Sequence, residues 1–195
     1  MKGEPCSGDF RISVVMPAKN EAGNIERSVR NAADALSGLS KEFEIVVVDD
    51  ASTDGTGPLL DQLAGLVPEL RPVHLDRSDG YGNALRVGFL HSACPLVFMT
   101  DSDCQFDMRE ISLMLPLIMD NSAVVGYRID RQDRFWRLFF SNGYNALLRW
   151  LFKLPVKDVN CAFKLFRREA LDRTLMKSGG YVGVAELLVR AGLDG

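Results

Sequence analysis

The sequence predicts a single α/β domain built on a mostly parallel β-sheet flanked by helices. Three observations carry that expectation. Short apolar, β-branched runs alternate with stretches of helical spacing, the pattern of strands joined by crossover helices. A length of 195 residues, with 47% hydrophobic and 25% charged side chains, fits one ordinary globular domain with a full core. Polar and charged residues follow four of the apolar runs, at the edge where open α/β sheets bind their ligands.

Residues 1–11 read as an N-terminal extension and 12–195 as the domain. Ile12-Ser13-Val14-Val15-Met16 reads as a buried strand. Asn24 to Leu36 has helical spacing, with Ile25, Val29, Ala32, Ala33 and Leu36 on one face. Phe43 to Val48 is a second strand. Leu59 to Leu66 is a second helix, introduced by the turn residues Asp54-Gly55-Thr56-Gly57. Val73-His74-Leu75 is a short third strand, and Gly82 to His91 is helical. Leu96 to Thr100 forms the fourth strand. Ile111 to Met119 is a helix interrupted by Pro116, and Ala123 to Tyr127 is a fifth strand. Phe135 to Phe152 is a long amphipathic segment, and Glu186 to Ala191 belongs to a last helix.

The net charge of −3 conceals an uneven distribution. Residues 1–121 carry 10 basic and 19 acidic side chains, whereas residues 122–170 carry 10 and 4. A basic segment after an acidic half suits an anionic partner, although solvated helix faces have the same composition. Cys6, Cys94, Cys104 and Cys161 show no C-x-x-C spacing and no His cluster, so free thiols in a reducing compartment are expected rather than zinc. His74 and His91 read as isolated surface or packed residues. The polar start MKGEPCSGDF is unlike a secretory leader, and no apolar run reaches the length of a membrane span.

Met99-Thr100-Asp101-Ser102-Asp103-Cys104-Gln105 is the most informative stretch. A strand delivers two carboxylates at i and i+2, which point to one side if the chain stays extended. Neighbouring carboxylates repel unless a cation lies between them or one is protonated. Oxygen ligands suit Mg²⁺ or Mn²⁺, which bind one or two carboxylates together with phosphate oxygens and water. Pro17-Ala18-Lys19-Asn20-Glu21 follows the first strand, Asp49-Asp50-Ala51-Ser52-Thr53-Asp54 the second, and Arg128 the fifth. Any one could be a cap or a turn. Four at one sheet edge point to a binding site. Gly80-Tyr81-Gly82 with Leu85 does not complete G-x-G-x-x-G, which argues against a dinucleotide-binding dehydrogenase.

Five blocks carry a resemblance: VVMPAKNEAGNI (14–25), EIVVVDDASTDGT (44–56), GYGNALRVGF (80–89), MTDSDCQFD (99–107) and VKDVNCAFKLFRRE (156–169). In this order they resemble family-2 glycosyltransferases, whose Rossmann-like sheet is of the GT-A type. GYR, FKLFRR and AELLVRAG make the chain similar to the branch of dolichol-phosphate mannose synthase and bacterial polyprenyl-phosphate relatives. The resemblance implies a nucleotide-sugar donor, bound by Pro17, Ala18, Lys19, Asn20, Glu21, Asp49 and Asp50, with Asp50 on the base. It implies Mg²⁺ or Mn²⁺ and the donor diphosphate at Asp101, Ser102 and Asp103, with Gln105 beside them as a further ligand. Arg128 and Arg137 fall where the synthase branch holds phosphates, and with Asp101 and Asp103 they form the implied catalytic set. Tyr81 stands where the family often has Lys, and Asn160 and Ala162 depart from its V-x-D-x-x-[GS]-F block, while Asp158 remains. Such relatives continue beyond A-E-L-L and many carry membrane helices. A C-terminally shortened domain is therefore the expectation here.

With a polyprenyl-phosphate acceptor the nucleophile is already an anion and needs positioning more than deprotonation. Arginines suit that task. Aromatic and basic residues interleave between Asp133 and Pro155, from Phe135 and Trp136 to Trp150 and Lys153, as befits a membrane surface or lipid acceptor; a helix packed on the sheet reads the same way. The expectation is a hexosyltransferase at the cytoplasmic face of a membrane, with no nucleic-acid partner. Two alternatives stay open. One is a saccharide or small-molecule acceptor, for which Asp158 is the candidate base; the other is a non-catalytic nucleotide-binding module.

Overall fold

The structure is a computed structural model that describes residues 10–127, 158, 159, 161–173 and 186–188. Strand β1 (Arg11–Ala18) leads to helix α1 (Ile25–Ser37), β2 (Glu42–Asp49), α2 (Thr56–Ala64), β3 (Leu70–His74), α3 (Tyr81–His91) and β4 (Leu96–Met99). A 3₁₀ turn (Met108–Glu110) runs into α4 (Ile111–Ile118), followed by β5 (Ala123–Val125), β6 (Lys164–Arg167) and α5 (Arg168–Arg173). The sheet order is β3-β2-β1-β4-β6-β5. Pairings β2–β3, β1–β2 and β1–β4 are parallel, whereas β6 is antiparallel to both β4 and β5. The mostly parallel, helix-covered sheet expected from the alternation of elements is thus present, with one reversed strand.

Side-chain alternation along the strands creates two apolar layers. Ile12, Val14 and Met16 of β1, with Ile45 and Val47 of β2, pack with Ile25, Val29 and Leu36 of α1, Leu60 of α2 and Ile111 of α4. Val15, Val46 and Val48 face the other way and pack with Ala84 and Leu85 of α3. Both faces of β1 are covered, which is why its sequence is nearly continuously apolar rather than alternating. Ser13 is the polar exception and is fully buried. Its hydroxyl donates to Glu44 (2.6 Å) and accepts from the Cys94 N–H (2.9 Å), so it carries no unmet hydrogen bond into the core.

Three local differences from the sequence expectation have physical causes. Helix α4 runs through Pro116 instead of being interrupted there; Pro116 lies on its exposed side, away from buried Met114, Leu115 and Ile118. Strand β5 ends at Val125, and Gly126 closes against β6 through its N–H to the Phe163 carbonyl (2.8 Å). Strand β6 is not expected from the sequence, because its first residue is a lysine. Lys164 is fully buried and donates its ammonium to the Cys161 carbonyl. The amphipathic stretch 135–152 lies outside the described residues. No helix among the described residues is long and apolar enough to cross a membrane.

Candidate active site

The chain reverses its direction of travel across the sheet after β3: β2 and β3 build outward on one side of β1, and β4 returns to its other side. Such a switch point leaves a crevice beyond the carboxyl ends of the central strands. A cleft of about 330 Å³ lies there. Of the residues expected at the donor site, Pro17, Ala18, Lys19, Glu21, Asp50, Asp101, Ser102 and Asp103 line it. Ser78, Gly80, Tyr81 and Ala84 complete the wall.

The loops that carry these residues are braced against one another. Asn20, expected to touch a nucleotide, instead joins the first loop to the second: its N–H donates to Ser52 Oγ (2.9 Å) and its Oδ1 accepts from the Thr53 N–H (2.8 Å). The Ala22 N–H donates to Asp54 Oδ2 (3.0 Å), and the Glu21 N–H to Thr56 Oγ1 (2.9 Å). Thr56 in turn donates its hydroxyl to Asp54 Oδ1 (2.6 Å). The Thr56 hydroxyl and the Ala22 N–H hold the Asp54 carboxyl below its ordinary pKa. Ser102 braces the third loop, with its hydroxyl on the Pro17 carbonyl (3.0 Å) and its own carbonyl receiving the Ser28 hydroxyl (2.6 Å).

One non-glycine residue in each loop adopts the left-handed conformation: Asn20 (φ 56°), Ala51 (φ 53°) and Cys104 (φ 61°). This region is costly for L-residues and clusters at sites whose surroundings over-determine it. At Ala51 the turn separates the fates of adjacent carboxylates. Asp50 faces the cleft, accepting from Ser78 Oγ (2.7 Å) and the Asp79 N–H (3.1 Å). Lys19 bonds the same Ser78 hydroxyl and approaches Asp50 Oδ2 at 3.6 Å.

Asp49, expected beside the base, does not line the cleft. It is buried, holds the Ser52 N–H (3.0 Å) and meets His74 Nδ1 (3.2 Å). The other nitrogen of that ring, Nε2, lies 3.1 Å from Asp61. His74 is therefore no isolated histidine but the link between two carboxylates. Burial alone would lower its pKa; the hydrogen bonds and charges of Asp49 and Asp61 outweigh that and raise it. The sequence signal was present in the i, i+13 and i, i+25 spacings, but only the β2–β3 register, which sets Asp49 opposite His74, makes it legible.

At the D-x-D end, Asp101 Oδ1 accepts the Tyr81 hydroxyl (2.9 Å) and Asp103 Oδ1 accepts the Gln105 N–H (3.2 Å). Gln105 is exposed and does not line the cleft, so its expected role as a ligand finds no support in its position. No group of three or more His, Cys, Asp or Glu able to hold a metal occurs among the described residues. Two carboxylates on an open wall nevertheless fit a hard divalent ion that completes its shell with phosphate oxygens and water. Asp158 is buried and away from the cleft lining. Arg128 and Arg137 lie outside the described residues.

Comparison with known proteins places this cleft in context. The profile described as glycosyl transferase family 2 matches residues 13–175. Glycosyltransferase AglD of Haloferax volcanii is 31% identical over 192 residues, covering 92% of this chain and 30% of its own length. The mannosyltransferase PcManGT of Pyrobaculum calidifontis, solved in complex with GDP-Man and Mn²⁺, superposes with a TM-score of 0.64 at 26% identity, over 88% of this chain and 49% of that one. Glucosyl-3-phosphoglycerate synthase of Mycobacterium tuberculosis, solved with Mn²⁺ and UDP-Glc, gives 0.71 at 25% identity, over 95% and 67%. The chain thus spans under a third of the curated relative and about half of the mannosyltransferase. The fold is that of the GT-A glycosyltransferases.

Proposed function

Since the chain belongs to glycosyl transferase family 2, we propose that it binds a nucleotide sugar in the cleft and transfers its hexose, mannose or glucose, with a divalent ion, to a polyprenyl phosphate. The observation that carries the reading is the arrangement of carboxylates. Asp50 stands at the β2 end of the cleft, and Asp101 and Asp103 stand at the β4 end. A nucleoside diphosphate laid between them puts its base against Asp50, which accepts a base N–H, and its diphosphate against the D-x-D pair. GDP-Man and UDP-Glc, both with Mn²⁺, are the ligands of the two solved relatives, which supports the donor class.

Transfer breaks the bond between the anomeric carbon and the phosphate, so negative charge grows on the leaving diphosphate. Held by Asp101 and Asp103, Mg²⁺ or Mn²⁺ would supply Lewis-acid stabilisation of that charge. The protein's own part is positional. Lys19 and Ser78 hold Asp50 at the base end. Pro17, Ala18 and Glu21 line the cleft beside them. Arg128 and Arg137 are proposed to fix the acceptor phosphate by charge-assisted, bidentate hydrogen bonds. The aromatic and basic residues between 135 and 152 are proposed to face the lipid, which would put the enzyme at the cytoplasmic face of a membrane.

A donor screen tests this reading. Nucleotide release is measured for GDP- and UDP-linked mannose and glucose, with and without polyprenyl phosphate, in Mn²⁺ and in EDTA. Metal-dependent release that rises with polyprenyl phosphate is the expected result. Release stimulated only by a saccharide or small hydroxylic acceptor would replace the lipid acceptor by the alternative. Binding without release under any condition would leave a nucleotide-binding module. Arg128→Ala and Arg137→Ala should lower transfer to polyprenyl phosphate by about one to two orders of magnitude, with less effect on donor hydrolysis.

A further inference from the structure

Resting on the donor-site reading above, we propose that Tyr81 is a positioning residue for Asp101, and that it thereby sets how tightly the site holds its divalent ion. The Tyr81 hydroxyl donates to Asp101 Oδ1 at 2.9 Å across the cleft, from an element 20 residues away in sequence. Asp101 stands just beyond the end of β4, where its loop begins. The phenol that meets it is held by the fold.

Three features fix that phenol. Gly80 precedes it at φ +87° and ψ 168°, a conformation open to glycine and strained for other residues, and this sets the direction in which α3 begins. The ring of Tyr81 packs against the apolar layer formed by Val15, Val48, Ala84 and Leu85. Gly88, two turns further on, lies so close to β1 that an added Cβ would overlap a Val15 methyl, so the helix is seated directly on the sheet. The hydroxyl at the end of this rigid arm therefore marks a fixed point, and Asp101 is drawn to it.

The charge of the donor matters as much as its place. Among the described residues, the cleft wall carries the carboxylates of Glu21, Asp50, Asp101 and Asp103 and one ammonium, Lys19. Lys19 is engaged at the other end, with Ser78 and Asp50. A neutral hydroxyl orients Asp101 without cancelling its charge, so it does not compete with a cation for that carboxylate. Groups that orient metal ligands in this way change metal affinity by about 10- to 100-fold when removed.

The experiment follows Mn²⁺ binding directly. Wild type, Tyr81→Phe and Tyr81→Lys are titrated with Mn²⁺ by electron paramagnetic resonance in the presence of UDP and of GDP. The same nucleotides are titrated calorimetrically in EDTA, and melting temperatures are recorded. Tyr81→Phe should hold Mn²⁺ about 10- to 100-fold more weakly, with its melting temperature and its nucleotide affinity in EDTA unchanged. Tyr81→Lys keeps a donor but adds a charge, so it should lose Mn²⁺ affinity while gaining nucleotide affinity in EDTA. Mn²⁺ affinity in Tyr81→Phe within about twofold of wild type, well short of that range, overturns the role. So does a parallel loss of metal-free nucleotide binding and melting temperature, which marks mere structure. A wild-type protein that takes up no Mn²⁺ with either nucleotide overturns the donor-site reading and this role together; wild-type uptake beside unaltered Tyr81→Phe overturns this role alone.

Discussion

Helix α3 is a sensitive point of the fold, because its packing on the sheet and its presentation of Tyr81 to the cleft are one rigid-body matter. The perturbation that exposes this is Gly88→Ala. On helix propensity alone the change should stabilise by about 1 kcal/mol. The structure argues for the opposite sign. A Cβ at residue 88 would overlap Val15 Cγ1 and sit 3.3 Å from Val48 Cγ2. Val15 is fully buried in the central strand, and a β-branched side chain there has no ready alternative rotamer. Overpacking of this kind costs about 1–3 kcal/mol, and with so stiff a neighbour the upper end applies. The net expectation is destabilisation by about 2 kcal/mol, or about 4–8 °C in melting temperature for a domain of this size.

Denaturant unfolding of Gly88→Ala, Val15→Ala and the double variant checks the mechanism. Val15→Ala alone removes buried methyl groups and destabilises. It also removes the atom that the added Cβ meets, so the double variant should be more stable than the sum of the two losses by about 1–2 kcal/mol. A neutral or stabilised Gly88→Ala, or an additive cycle, would refute the close seating of α3. The same seating predicts that Gly88→Ala weakens nucleotide binding although residue 88 lies outside the cleft lining.

Asp103→Asn should lower Mn²⁺-dependent nucleotide affinity at least about tenfold while the melting temperature holds, since even outer partners of a metal ligand are worth that much; equal affinity with and without EDTA in wild type would remove the metal from the site. Asp50→Ala removes the buried carboxylate proposed to accept a base N–H, a loss of about 1–3 kcal/mol that calorimetry should read as weaker nucleotide binding. His74→Gln tests the Asp49–His74–Asp61 link through pH. Because the folded pKa is raised, the charged link stabilises fully below the unfolded value of about 6.5 and fades as pH rises through the folded value. The melting-temperature gap between wild type and His74→Gln should therefore be wider at pH 6 than at pH 9, and a gap independent of pH would refute the link.

The parallel half of the sheet is legible because burial on both faces writes itself as continuous apolar runs such as Ile45-Val46-Val47-Val48. Strand β6 is not legible for the converse reason. A lysine reads as solvent-facing until the fold supplies a buried carbonyl for its ammonium, and Lys164 meets that of Cys161. Helix α4 reads as broken at Pro116 because proline lacks the N–H of a helix interior. One missing bond on an exposed face does not outweigh the burial of Ile111, Met114, Leu115 and Ile118.

The same reasoning explains how far the site can be read. That a cleft lies at the ends of β1, β2 and β4 follows from motif position alone, and eight of the residues expected at the donor site do line it. Which polar residue faces inward is a different question, decided by where the chain turns. Ala51 and Cys104 take the left-handed conformation with side chains that give little notice of it, Asn20 with one that tolerates it, and each redirects the residues around it. Around Ala51, Asp50 is aimed at the cleft while Asp49 is committed to Ser52 and His74. Around Asn20, the wall falls to Lys19 and Glu21 while Asn20 itself becomes a clasp between loops. A motif of the form D-D-x-S-x-D therefore mixes two kinds of residue that composition cannot separate. Asp50 faces the cleft; Ser52, Asp54 and the clasped Asn20 brace the loops that hold it there. Loss of the second kind should resemble a weaker first kind rather than an unfolded protein.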